Sequence, residues 1–77
     1  MAQINIVTTE EERTKVLQAI KKIEGEIVSV TKIAALAGLK HSRVRYVIVD
    51  LIDAGLIERV PRRLFNKRYI RYSYNIL

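Results

Sequence analysis

Three glycines, Gly25, Gly38 and Gly55, punctuate this chain, and each follows a stretch in which apolar residues recur at helical spacing. Glycine enters the left-handed backbone region without steric penalty, so a glycine behind an apolar stripe of this period marks where a helix stops. The first stripe is Val16, Leu17, Ile20 and Ile23, and the third is Val44, Val47, Ile48, Leu51 and Ile52. The punctuation predicts helices before each glycine and a tail of a different kind after Gly55.

Local signals place the helix starts. Thr8 or Thr9 stands three residues ahead of Glu11 or Glu12, the arrangement in which a hydroxyl and a carboxylate reciprocally satisfy backbone amides. The first helix is expected over residues 10–24. Ile27 and Val28 are β-branched and, with Ser29, suit a short strand. Thr31 is the expected cap of a second helix over residues 32–37, with Val30 as its hydrophobic staple. The third helix is expected to begin near His41. In the tail, residues 56–60 suit a strand, 61–66 a turn region and 68–76 a second strand. There Ile70, Tyr72, Tyr74 and Ile76 alternate with Tyr69, Arg71, Ser73 and Asn75, giving one apolar face and one polar, basic face. The expectation is an α+β fold in a single domain over residues 1–77, with residues 1–8 as an amino-terminal arm or strand.

A chain of 77 residues has room for one small core, which supplies about 3–5 kcal/mol of net stability. A second domain, a buried catalytic cavity or a ligand-sensing domain is not expected. Without cysteine there is neither a disulfide framework nor a thiolate metal site, and His41, the single histidine, has no partner ligand. No Gly-rich phosphate loop or nucleophile–base set is visible, so the chain does not read as an enzyme and no cofactor is expected. No apolar run approaches the roughly 18 residues of a membrane span, and the amino terminus lacks the pattern of a signal peptide. The expected setting is the cytoplasm, without membrane contact.

The net charge of +6 is unevenly distributed. Over residues 1–39, Arg13, Lys15, Lys21, Lys22 and Lys32 are balanced by Glu10, Glu11, Glu12, Glu24 and Glu26. Over residues 40–58, Lys40, Arg43 and Arg45 are balanced by Asp50, Asp53 and Glu58. The remainder carries Arg59, Arg62, Arg63, Lys67, Arg68 and Arg71 with no acid. An excess concentrated in one segment suggests a surface that faces a polyanion.

The stretch Ile33-Ala34-Ala35-Leu36-Ala37-Gly38-Leu39-Lys40-His41-Ser42-Arg43-Val44-Arg45-Tyr46-Val47 resembles the helix-turn-helix of bacterial and archaeal regulators. Ala34 meets the need for a small residue where the two helices touch, and Gly38 the need for a left-handed turn. By themselves these features also fit an ordinary corner between two helices. The following Asp53-Ala54-Gly55-Leu56-Ile57-Glu58-Arg59 looks like the end of a winged-helix recognition helix leading into its first wing strand. With the wing, the resemblance to the winged helix-turn-helix family covers residues 10–76. One departure is the position before the recognition helix. The family often has Ser, Thr or Asp there, whereas this chain has Lys40 and His41, which leaves capping to Ser42 or to water.

The resemblance implies that the third helix, about residues 41–54, enters the major groove of double-stranded DNA and shows bases the face opposite its apolar stripe. That leaves Ser42, Arg43, Arg45, Tyr46 and Val49 as candidate readers, with Lys40 and His41 placed for phosphate. Arg43 and Arg45 suit guanine, or alternatively phosphate, and Val49 suits a thymine methyl. Tyr46 is either a contact residue or partly buried beside the wing. The wing, about residues 59–71, carries Arg59, Arg62, Arg63, Lys67, Arg68 and Arg71 for the phosphate backbone or the minor groove. Leu64 and Phe65 at its tip either fold onto the sheet or remain exposed. Tyr72 and Tyr74 are expected in the core.

The implied function is sequence-specific transcription regulation, as in small archaeal, viral and plasmid winged-helix proteins. Two alternatives remain: an RNA-binding role, since the pattern also resembles a winged-helix ribosomal protein of the small subunit, and an architectural or plasmid-maintenance role that coats DNA with little sequence preference. A homodimer is plausible, with residues 1–7, including Ile4 and Ile6, as a candidate arm.

Overall fold

The computed structural model describes residues 7–63 and 70–77. Its elements are α1 (Glu10–Lys22), β1 (Ile27–Val28), α2 (Val30–Ala37), α3 (His41–Asp53), β2 (Ile57–Arg63) and β3 (Ile70–Ile76). The strands form an antiparallel sheet in the order β1-β3-β2. The architecture is α+β, with the order of helix, short strand, two helices and hairpin that defines a winged helix-turn-helix.

Helix α1 starts as its sequence dictates. Thr9 is the cap, its Oγ1 accepting from the Glu12 amide at 3.1 Å, while the Thr9 amide donates to Glu12 Oε1 at 2.9 Å. The helix ends at Lys22, short of the expected residue 24, because the Ile23 amide turns to Ile20 O and leaves the α pattern.

The start of α2 corrects the expectation that Thr31 caps it. Ser29 holds that place, in extended backbone, with its Oγ accepting from the Lys32 amide at 3.3 Å. Ser29 thus opens α2 instead of extending β1, and Val30 becomes the first helical residue instead of a staple. At the other end Gly38 adopts φ 69°, and the amides of Gly38 and Leu39 both reach Ala34 O. This left-handed residue turns the chain steeply enough for α3 to begin at His41.

Helix α3 closes with the paired backbone bonds of a Schellman motif: the Gly55 amide donates to Ile52 O and the Leu56 amide to Leu51 O, both at 3.0 Å. That geometry aims Ile57, only 1% exposed, into the core and leaves Leu56 outside at 46%. Strand β2 therefore begins one residue later than expected. It also continues through Pro61 to Arg63, where a turn was expected. Proline is tolerated because β2 lies at the sheet edge, where alternate amides have no ladder partner to lose.

The core gathers one face from every element. Val16, Ala19, Ile20 and Ile23 of α1 meet Ile33, Ala34 and Ala37 of α2 and Val44, Val47, Ile48 and Leu51 of α3, closed by Val28, Ile57 and Tyr74 from the sheet. Burying each large aliphatic side chain stabilises the fold by about 1.5–3 kcal/mol. On β3 the expected apolar face holds for Tyr74, which is buried, and for Tyr72 and Ile76, which are half-buried against the core. Ser73 departs from the expected exposed polar face, being 0% exposed. It lies in the central strand between Ile27 and Val60, and Arg62 Nε donates to its Oγ at 3.1 Å.

Candidate nucleic-acid interface

Helical periodicity gives α3 distinct sides. Val44, Val47, Ile48 and Leu51 face the core. Arg43 and Asp50 lie on the flank toward α1, and Arg45 lies on the flank toward the sheet, leaving Ser42, Tyr46 and Val49 between them on the outer surface.

The α1 flank is occupied by ionic contacts. Arg43 donates from Nε to Glu12 Oε2 at 2.8 Å and from Nη2 to Glu12 Oε1 at 2.7 Å, a two-pronged pair, and Nη2 also reaches Val7 O at 3.0 Å. The guanidinium holds the Glu12 carboxyl down at about 2, from an ordinary value of 4.5, aided by the Thr9 amide. The carboxylate in turn raises the pKa of Arg43. Beside this pair, buried Thr8 donates through Oγ1 to Asp50 Oδ2, and Arg13 Nη1 donates to Thr8 O at 2.7 Å and to Thr8 Oγ1 at 2.9 Å. Residues 7–9 are thereby strapped across α1 and α3. Arg43, a candidate base reader by sequence, is committed to this strap and turns away from the outer surface.

The opposite flank is open. A cleft of about 350 Å³ runs between α3 and the hairpin, lined by Arg45, Ile48 and Val49 of α3, Val30 of α2, and Arg59, Tyr72 and Tyr74 of the sheet. Its two guanidiniums come from different elements. Arg59 pairs in register with Tyr74, on the sheet face that meets the core, and its guanidinium carbon lies 4.6 Å from the centre of the Tyr72 ring. Burial pushes the Tyr74 phenol pKa up, opposed by the charge of Arg59 and a hydrogen bond to it. Arg59 is thus fixed on aromatic surface before any partner arrives, which lowers the ordering cost of an anion contact.

The other expected residues fall into three groups. Lys40, His41 and Ser42 are exposed at the start of α3, where Lys40 holds the cap position without a side-chain cap bond. Tyr46 is 44% exposed and Val49 52%, so Tyr46 is not buried beside the wing. Arg62 and Arg71 are paired in register on the sheet face away from the cleft, Arg62 exposed and Arg71 half-buried. Among the described residues, the hairpin's cations Arg59, Arg62 and Arg71 therefore occupy both faces, not one. Arg63 ends β2, but its side chain lies outside the described residues, as do Lys67, Arg68, Leu64, Phe65, Tyr69 and the arm residues Ile4 and Ile6.

Sequence reasoning missed Val30, Tyr72 and Tyr74 as cleft walls. The alternation on β3 signalled an inward face for the two tyrosines but not that this face outruns the core. It missed the strap as well, because Thr8 and Asp50 are 42 residues apart and nothing local announces the pairing.

Among the described residues, no group of three or more His, Cys, Asp or Glu side chains could hold a metal ion. No described helix is long and apolar enough to cross a membrane. Comparison of the chain with protein-family models and with curated proteins finds no match.

Proposed function

We propose that this protein is a sequence-specific regulator of transcription that binds double-stranded DNA, with α3 in the major groove and the β2–β3 hairpin along the backbone. The observation that carries the reading is the cleft in which Arg45 from α3 and Arg59 from β2 face a common space. A groove-reading helix and a wing must engage one duplex together: Arg59 of the hairpin then meets the backbone that borders the groove, while Arg45 across the cleft is turned to the adjacent base edges. Lys40, exposed at the start of α3, extends the same positive margin, and His41 beside it is equally exposed.

Charge placement supports a polyanion in general, while the outer face of α3 supports readout. Ser42, Arg45, Tyr46 and Val49 mix a fork donor, a hydroxyl and apolar groups, a set that distinguishes base edges better than it grips phosphate. A coating protein needs no such mixture.

The deciding measurement is binding to a selected duplex, a random duplex and a structured RNA across a salt titration. A preference of at least about 10³ for the selected duplex, with log affinity falling steeply against log salt, is expected. Equal affinity for all duplexes would reject regulation in favour of coating, and tighter binding to the RNA would reject DNA as the partner. Within the interface, Arg59→Ala should weaken every duplex alike and flatten the salt dependence by about one counterion.

A further inference from the structure

The outer strip of α3 has an unusual chemical balance once the strap has withdrawn Arg43 from it. One guanidinium, that of Arg45 on the neighbouring sheet flank, borders a phenol ring 44% exposed at Tyr46 and an isopropyl group 52% exposed at Val49. Neither Tyr46 nor Val49 belongs to the buried core, though four other α3 side chains do. Apolar surface held out in water gains free energy by meeting apolar surface. On the floor of the major groove the apolar group is the C5 methyl of thymine.

Spacing brings these contacts onto one short stretch of bases. Tyr46 and Val49 are three residues apart, and Arg45 and Val49 four, so each pair is adjacent on the helix surface, about 5–6 Å between Cβ atoms. Base pairs follow one another at about 3.4 Å, so neighbouring side chains address neighbouring or next-neighbouring steps. Asp53, exposed on the same side at the carboxy-terminal end of α3 and four residues beyond Val49, repels phosphate and marks where the contacting stretch ends.

We infer that the preferred site is defined largely by thymine methyl groups: one G·C pair beneath Arg45, flanked by T·A pairs whose methyls pack on Val49 and Tyr46. This deepens the DNA-binding reading above and rests on it. Specificity here comes from shape and apolar contact at two positions and from a hydrogen-bonding fork at one.

The test begins with selection of bound duplexes from a randomised library. In the best of them each deoxythymidine is then replaced in turn by deoxyuridine, which removes the methyl and nothing else. Replacement at the steps beside the G·C pair should weaken binding about fourfold for each methyl packed. Val49→Ala should abolish the penalty at one such step and Tyr46→Ala at another. Both side chains are exposed, and an unchanged melting temperature confirms that the fold is kept. Selected sites in which uracil serves as well as thymine throughout would overturn this inference while leaving sequence-specific binding intact. Retention of the full uracil penalty in both variants would overturn the assignment to α3. A selection that returns no preferred sequence would overturn the regulator reading and this inference with it.

Discussion

Arg43 and Arg45 are the same residue type, two positions apart on one helix, and the fold puts them to opposite uses. Arg43 is gripped by both carboxylate oxygens of Glu12 and by the Val7 carbonyl, which joins α3 to the start of α1. Arg45 lines a cleft opposite Arg59. The difference teaches that a cation on a helix surface is available to a ligand only if the neighbouring elements leave it so. Two residues of helical rotation decide between a structural tie and a candidate contact.

The contrast breaks most completely if the helix between the two flanks loses its seat. Leu51 is fully buried beneath α3, and Leu51→Ala should cost about 2–5 kcal/mol, comparable with the whole stability of a domain this small. Thermal unfolding should show a large fall in midpoint, with both flanks lost together. A variant that melts as the parent does would mean that α3 is not anchored as described.

Arg45→Ala sharpens the contrast on the open side. Competition between the selected duplex and single-base variants should show about 1–3 kcal/mol of lost discrimination at one position, while stability moves by no more than about 0.5 kcal/mol. The mirror outcome is expected for Arg43→Met, with a lower melting temperature and unchanged ranking of duplexes. Should Arg43→Met relax specificity as Arg45→Ala does, the assignment of the two flanks is wrong.

Acid titration tests the tied side independently. Glu12 has its carboxyl lowered from 4.5 to about 2 in the fold, so it binds a proton more weakly there than in the unfolded chain. Its contribution is therefore fully present above pH 4.5 and disappears as pH falls through about 2. The melting-temperature gap between the parent and Arg43→Met should hold steady at neutral pH and narrow across that window. A gap that stayed constant to pH 2 would remove Glu12 as the partner that matters.

The smallest effect belongs to the support of Arg59. Tyr72→Leu keeps apolar bulk in the cleft but removes the ring 4.6 Å from the guanidinium, a contact worth about 0.5–1 kcal/mol at exposed sites. A loss of that order is expected in stability, read from thermal unfolding, with a smaller weakening of binding, equal for all duplexes, because Arg59 is no longer held in place beforehand.

Much of the fold was legible because its determinants are local. The capping box at Thr9 and Glu12, the apolar stripe of α3 and the exits at Gly38 and Gly55 each lie within a few residues of sequence, and their physics scarcely depends on the rest of the chain. Errors arose where two local signals competed or a neighbour intervened. Ser29 stands two residues ahead of Thr31 with a hydroxyl of the same capping chemistry and took the cap, and Pro61 stayed in a strand because that strand is at the sheet edge. Ser73 reads as a surface residue until Ile27, Val60 and Arg62 are laid around it.

The candidate interface divides in the same way. Composition and order alone determined the α+β arrangement, the excess of positive charge in the tail and the place of Val49 opposite the apolar stripe, since period and charge are properties of the chain itself. Only the tertiary structure decided that Arg43 serves the strap and Arg45 the cleft, that Tyr46 stays exposed, that Arg59 rests on Tyr72, and that the described cations of the tail divide between two sheet faces. Those outcomes depend on contacts between residues far apart in sequence, such as Glu12 with Arg43 and Thr8 with Asp50. Their partners are chosen by packing, which no window of neighbouring residues contains.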